Sequence, residues 1–322
     1  MCLLHHHRKS RMPRILTLTP HPALDISAQA DHVAPGRKLR CTDLRTDPGG
    51  GGVNVARGAH RLGADVCAIL PVGGAFGEKL AALVRAEGVP ARIVETAAET
   101  RFAFAARDRG TGEQYRFNLP GGALAAGESQ ALLAALAEEA GADDIIVGSG
   151  SLPPEASSDF WARAARTARE AGARFVLDTT AGEGEALREG LFLLRKNRME
   201  AEELAGHPLP WPEEAQAFAE EMAANHGAEN VVLTHGENGA IMARRGAPSL
   251  RVPGVKVARR SAVGAGDSFV AALVVAMLEG RAPEEALARG LAAAAAAMIS
   301  PGTALFAPED IARYLPPRPE GG

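Results

Sequence analysis

The 322-residue sequence predicts an α/β fold in which helices cover both faces of a mostly parallel central sheet and two insertions build one small separate sheet. Three observations predict it. From residue 66 onward, nearly continuous apolar strands alternate with helical segments, as parallel strands buried on both faces require. Two segments, at about 23–47 and 100–120, instead alternate polar and apolar residues, so one face of each is wet. Two glycine clusters, at Gly49–Gly52 and Gly264–Gly266, each lead straight into a helical pattern.

Residues 1–12 read as an extension ahead of the fold. His5, His6 and His7 within it have no partner elsewhere in the pattern and read as a solvated tail. Ile15–Leu18 is a short strand stopped by Pro20, and the alternation over 25–33 and 39–46 predicts an antiparallel flap. After the first glycines the spacing turns helical and closes at Gly63. A strand at Val66–Val72 and a helix over 77–87 follow, then a hairpin of 101–108 and 113–119 turning on Arg109-Gly-Thr-Gly112. The rhythm continues as helix 128–140, strand 144–148, helix 157–171 and strand 174–178. Next come a strand at 191–194, helices over 199–204 and 213–226, a strand at 230–234, and the pair 239–244 and 250–255. Two Ala-rich helices, 268–279 and 283–299, close a single domain running from 13 to 316, ahead of a tail at 317–322. Their small side chains predict close helix packing.

Composition excludes several functions. A net charge of −4, with no basic run beyond Arg8-Lys9-Ser10-Arg11, leaves no electrostatic footprint for nucleic acid. Cys2, Cys41 and Cys67 are too few and too scattered for a disulfide framework or a metal cage, which predicts a reducing, cytoplasmic setting. No apolar run is long enough for a membrane span, and the start lacks a signal-peptide core.

The chemistry concentrates in a few stretches. In Gly264-Ala265-Gly266-Asp267, the turn opens a helix whose first amides can cradle an anion, and Asp267 beside them can take a proton from an attacking hydroxyl. The competing reading is a plain turn with Asp267 as a helix cap. Gly50, Gly51, Gly52 and Asn54 form a second cradle that also opens a helix. A dinucleotide fingerprint fits poorly there, since the preceding strand is polar and no acidic residue follows at the right distance. No Walker lysine motif occurs. Asp25, Lys38, Arg40 and Arg101 fall on the alternating strands, either as solubilising charges or as a sugar-phosphate clamp. Asn197-Arg-Met-Glu200 places an amide and a carboxylate three residues apart, either to order water around Mg²⁺ or as a capping box.

Taken together, Gly49 to Arg57, Gly150-Ser151-Leu-Pro-Pro154, Asn197-x-x-Glu200, Thr234-His-Gly-Glu-Asn-Gly239 and Gly264-Ala-Gly-Asp-Ser268 resemble, in order, the ribokinase-like (PfkB-type) sugar kinases. The resemblance spans about residues 14 to 315. Thr17 to Asp25, Gly36 to Thr42, the four-glycine run and Glu113-Gln-Tyr-Arg-Phe117 look most like the 6-phosphofructokinase branch of that family.

The resemblance implies a ribokinase-like three-layer sandwich with the small sheet as a lid, ATP and Mg²⁺ as cofactors, and Asp267 as catalytic base. It implies that Ser151 joins the substrate site, and that Asn197, Thr234, Gly236 and Gly239 lie near ATP. Some relatives bind a monovalent cation such as K⁺ through backbone at positions matching Ser261, Val263, Ala297, Ser300 and Gly302. The expected acceptor is fructose 6-phosphate, phosphorylated at C1; fructose 1-phosphate and tagatose 6-phosphate are alternatives, and a regulator without catalysis is a further rival. Fructose 1-phosphate kinases often carry Lys inside the glycine loop, where this chain has only Gly49–Gly52. Relatives usually carry Lys-Pro-Asn where this chain has Arg195-Lys196-Asn197. A homodimer through the lid is expected, using an apolar face of Phe102, Phe104, Tyr115 and Phe117.

Overall fold

The computed structural model describes residues 12–258, 263–300 and 304–315. The first half lays down β1 (Ile15–Leu18), β2 (Ala23–Ala30), β3 (Cys41–Gly49), α1 (Gly51–Arg61), β4 (Val66–Val72), α2 (Gly74–Ala86), β5 (Ala91–Glu95), β6 (Arg101–Asp108), β7 (Gln114–Asn118), α3 (Ala126–Glu139) and β8 (Ile145–Ser149). The second half adds α4 (Phe160–Ala171), β9 (Arg174–Asp178), α5 (Glu183–Glu189), β10 (Leu191–Asn197), α6 (Arg198–Ala205), α7 (Glu213–Asn225) and β11 (Ala228–Thr234). β12 (Ala240–Arg244), β13 (Ala247–Val252), α8 (Ala265–Leu278), α9 (Pro283–Ile299) and α10 (Pro308–Tyr314) complete it.

Among the described residues the large sheet has nine strands, in the order β13-β12-β11-β10-β9-β8-β1-β4-β5. It is parallel from β11 to β5 and antiparallel only at β12 and β13. Successive side chains alternate between two cores, as a pleated strand buried on both faces must arrange them. Ile15, Val66, Ala68, Ile145 and Val147 meet α1, α2, α8 and α9, whereas Leu16, Cys67, Ile69 and Ile146 meet α3, α4 and α7. Small residues bring the helices close. A Cβ on Gly58 of α1 would lie 2.7 Å from the Cβ of Ala271 on α8, and one on Gly290 of α9 would lie 2.8 Å from the Phe269 ring.

β1 has β4 on one side and β8 on the other, so the chain order reverses there. In an open α/β sheet, the crevice at the carboxyl ends of such strands is where ligands sit. The small sheet, ordered β3-β2-β6-β7, carries chain from both insertions. Its β2–β6 pair is parallel, and hairpin-like antiparallel partners flank it.

Some elements differ from expectation. β5, α5 and α10 carry no strong periodic signal: β5 is an edge strand with largely exposed side chains, and the two helices have seven residues each. Lys38 and Arg40 lie in the segment before β3 rather than on a strand. The strand runs from Cys41 to Gly49, so the alternation over 39–46 places its start two residues early and its end three residues short. The N-terminal extension lies outside the described residues up to residue 11, as does the tail from residue 316.

Candidate active site

A cleft of about 340 Å³ opens at the switch point, between the carboxyl ends of β8, β9 and β10, the starts of α1 and α8, and one face of the small sheet. Asp267 lines it. The α8 N-terminus is set by Gly264, whose φ of 76° is a left-handed conformation that glycine adopts without a Cβ penalty. The first intrahelical bond runs from Ser268 N to Gly264 O, 2.8 Å, leaving the amides of Ala265, Gly266 and Asp267 without intrahelical acceptors. These donors and the helix dipole favour an anion in the cleft. Burial pushes the Asp267 carboxyl up to about 7, reinforced by the negative charge of Asp178 and opposed by a hydrogen bond from Asn54 and by Arg195. The carboxylate is therefore poised to exchange a proton near neutral pH.

Asn54 comes from the second cradle. Its Nδ2 donates to Asp267 Oδ2 at 2.9 Å. The glycines before it are dictated by close approach: a Cβ on Gly49 would lie 2.4 Å from Asp25 Cγ, and one on Gly51 would lie 2.3 Å from Ser149 Oγ. Gly50 and Gly51 line the cleft, and the first-turn amides of α1 open beside it. Gly52 is buried against Thr19.

The small sheet supplies the other wall. Asp25, Ala103 and Asn118 stand in register across β2, β6 and β7, and Ser27, Ala105 and Arg116 form a further row. Asp25, Arg101 and Arg116 all line the cleft, whereas Lys38 and Arg40 are exposed and are not among its lining residues. Burial pushes the Asp25 carboxyl up to about 6 against the pull of Arg101 and Arg116. Ser151 also faces the cleft, with its Oγ 3.2 Å from His21 Nδ1. Burial and the Arg101 charge push His21 down to about 4, so the imidazole stays neutral.

Beyond Asp267, Arg195 crosses the cleft end of β10. It donates to Asp178 Oδ1 at 3.1 Å and to Thr234 Oγ1 at 2.8 Å. Glu200 lines the cleft beside it, its carboxyl raised chiefly by burial. Asn197-x-x-Glu200 forms a capping box, in which Asn197 Oδ1 accepts from Glu200 N at 3.0 Å and Glu200 Oε2 accepts from Asn197 N at 2.8 Å, while Glu200 still lines the cleft. Gly236 and Gly239 bracket the turn after β11, outside the lining of this cleft. Gly239 has its own packing reason, since a Cβ there would lie 2.0 Å from Val252 O. Of the cation-site positions, Val263 lines the cleft, while Ala297 and Ser300 close α9, where Ser300 N donates to Ala297 O at 3.1 Å. Ser261 and Gly302 lie outside the described residues.

Asp178, Arg116, Asn118, Ser149 and His21 join the site without having been singled out in the sequence. Asp178 ends an apolar strand and Arg116 follows Tyr115 in an alternating one, so each looks like an ordinary terminal or solvent-facing charge until the strands are paired.

The sequence pattern of the pfkB family carbohydrate kinases matches residues 23–310. The chain is 40% identical over 303 residues to the ATP-dependent 6-phosphofructokinase isozyme 2 of Mycobacterium tuberculosis, covering 94% of this chain and 89% of that one. It is 33% identical over 282 residues to the 1-phosphofructokinase of Xanthomonas campestris, covering 85% and 87%. Phosphofructokinase-2 from Escherichia coli, solved in complex with substrates and products, superposes with a TM-score of 0.89 at 35% identity, covering 94% of this chain and 98% of that one.

Proposed function

Because the chain belongs to the pfkB family of carbohydrate kinases, we propose that it transfers the γ-phosphoryl group of ATP to the C1 hydroxyl of fructose 6-phosphate, giving fructose 1,6-bisphosphate. The observation that carries this reading is the division of the cleft: Asp267 and the open amides of α8 on one wall, Arg101 and Arg116 on the other. An acceptor anchored on the arginines by its own phosphate presents its far end to the carboxylate. Charge-assisted hydrogen bonds from a guanidinium suit a phosphate better than a neutral sugar.

Asp267 then takes the proton of the attacking hydroxyl, and the α8 amides with Arg195 stabilise charge on the phosphoryl oxygens in flight. Asp25, Ser151 and the start of α1 hold the sugar. ATP is placed over the ends of β10 and β11, near Asn197, Thr234, Gly236 and Gly239. Among the described residues no group of three or more His, Cys, Asp or Glu could hold a metal directly. Bound Mg²⁺ would supply charge neutralisation at the transferring phosphoryl group, and the Glu200 carboxylate would order its water ligands. A monovalent cation near Val263, Ala297 and Ser300 would neutralise charge at the same end. No helix among the described residues is long and apolar enough to cross a membrane, and we place the enzyme in the cytoplasm with its nucleotide.

The outward face of the small sheet carries Ile26, Phe104 and Phe117 in register, with Leu44 73% and Phe117 55% exposed. We assign this face to a homodimer contact. Phe102 shares this face two residues before Phe104, but there it is covered by Phe76 of α2, with ring centroids 5.2 Å apart.

The test is ADP release with ATP and a panel of fructose 6-phosphate, fructose 1-phosphate, tagatose 6-phosphate and ribose. Fructose 6-phosphate is expected to give the highest kcat/KM. A higher value for fructose 1-phosphate or for ribose would overturn the acceptor assignment.

A further inference from the structure

We infer that Arg57, clamped by Glu87, is a positioning residue that locks the Asn54 side chain in the one orientation that donates to Asp267. The inference rests on the kinase reading only for its catalytic consequence. Asparagine presents an oxygen and an NH₂ of nearly equal size, so its orientation is set by its neighbours. Here one neighbour settles it. Arg57 Nη1 donates to Asn54 Oδ1 at 3.0 Å, and a guanidinium has no acceptor, so the oxygen must face Arg57 and the amide must face Asp267.

Arg57 is itself fixed on every side. Its side chain is 1% exposed, and Nη1 also donates to Pro48 O at 3.0 Å, just ahead of the glycine run. Nε and Nη2 both reach Glu87 Oε1, at 3.0 and 2.6 Å. Glu87 follows α2, and Arg61 holds its second oxygen at 3.0 Å. One buried cation thus ties the start of the glycine cradle and the base to the same anchor, although Arg57 and Glu87 do not line the cleft. With Oδ2 of Asp267 committed to Asn54, Oδ1 is left for the acceptor hydroxyl. Were the amide free to rotate, its oxygen could turn to the carboxylate, replacing a stabilising donor with a repelling acceptor.

The test reads the titration of the Asp267 carboxyl by carbon NMR on the ligand-free protein, the signal being assigned by its loss in Asp267→Asn. Arg57→Lys keeps the charge but cannot reproduce the fork, and it should raise the midpoint by about 0.5 to 1 pH unit. The acid limb of kcat should move with it, while KM for the sugar phosphate changes less than threefold. In an Asn54→Ala background the same substitution should add no further shift. If Arg57→Lys does not fold, Glu87→Gln replaces it. Removing that negative charge alone would lower the midpoint, whereas loosening Arg57 raises it, so the sign discriminates. A midpoint that is unmoved or lowered in the folded variant, or a rise that persists without the Asn54 amide, overturns the inference. Should the parent phosphorylate none of the sugar phosphates, the proposed function falls while the titration still decides the role of Arg57.

Discussion

At the scale of single residues, Asp267 joins function to a stability cost. Its folded carboxyl titrates near 7 against an ordinary 3.8, chiefly because burial disfavours the charged form. Between about pH 4 and 7 the folded state therefore holds a proton that the unfolded chain has released, and stability from this group falls as pH rises through that window. Asp267→Asn removes the charge that must be buried above pH 7. The variant should lose 10²- to 10⁴-fold in kcat, as loss of a general base does. It should also gain thermal stability relative to the parent, and gain more at pH 8 than at pH 5. The gain is bounded by about 1.4 kcal/mol for each pKa unit displaced, and the cleft water that the half-buried carboxyl meets trims it. Calorimetry at the two pH values checks this; a stability gap that does not widen at pH 8 would show that the carboxyl is not strained.

At the scale of elements, two helix starts do the positioning, and both depend on missing side chains. α1 can approach β8 only because Gly51 has no Cβ, which would fall 2.3 Å from Ser149 Oγ and 3.0 Å from Gly150 N. Neither the strand end nor the helix start can yield without moving cleft residues on both sides. Gly51→Ala should therefore lower kcat/KM by about 10²-fold, the usual cost of misplacing reacting groups by roughly 1 Å, with the circular dichroism spectrum unchanged. Activity within threefold of the parent would mean that the glycine run is dispensable to the cleft. This cradle is visible in the sequence as four glycines before a helical pattern. Which atoms demand them is not, because Asp25, Thr19 and Ser149 come from β2, from the end of β1 and from β8.

At the scale of the whole molecule, the small sheet serves two surfaces at once because its side chains alternate. Asp25, Ala103, Arg116 and Asn118 face the cleft, and Ile26, Phe104 and Phe117 face away. Phe104 and Phe117 stack with centroids 6.2 Å apart, yet Phe117 remains more than half exposed. A four-stranded sheet with one bare apolar face gains from being covered by its own copy. Phe117→Glu should convert a dimer into a monomer in sedimentation velocity at micromolar concentration, with a cooperative unfolding transition retained. A parent that sediments as a monomer would remove the dimer assignment.

The sequence by itself determined the α/β layering, the two wet insertions and both helix-opening cradles, because period and glycine placement are local properties of a chain. It also carried Asp267 and Asn54, which stand in distinctive motifs, and offered Arg101 only as one of several charges on alternating strands. Only the tertiary structure decided which charges share a cavity. Lys38 and Arg40 read like Arg101 in sequence, but the strand begins after them and they stay at the surface, while Arg116 is brought into the cleft by pairing with Ala105. The Glu87, Arg57, Asn54 and Asp267 series joins positions as far apart as 213 residues, and its bonds from α1 to Glu87 and to Asp267 exist only once the helices pack together. Local pattern fixes which face of an element is buried; which faces meet is fixed by the packing of the whole chain.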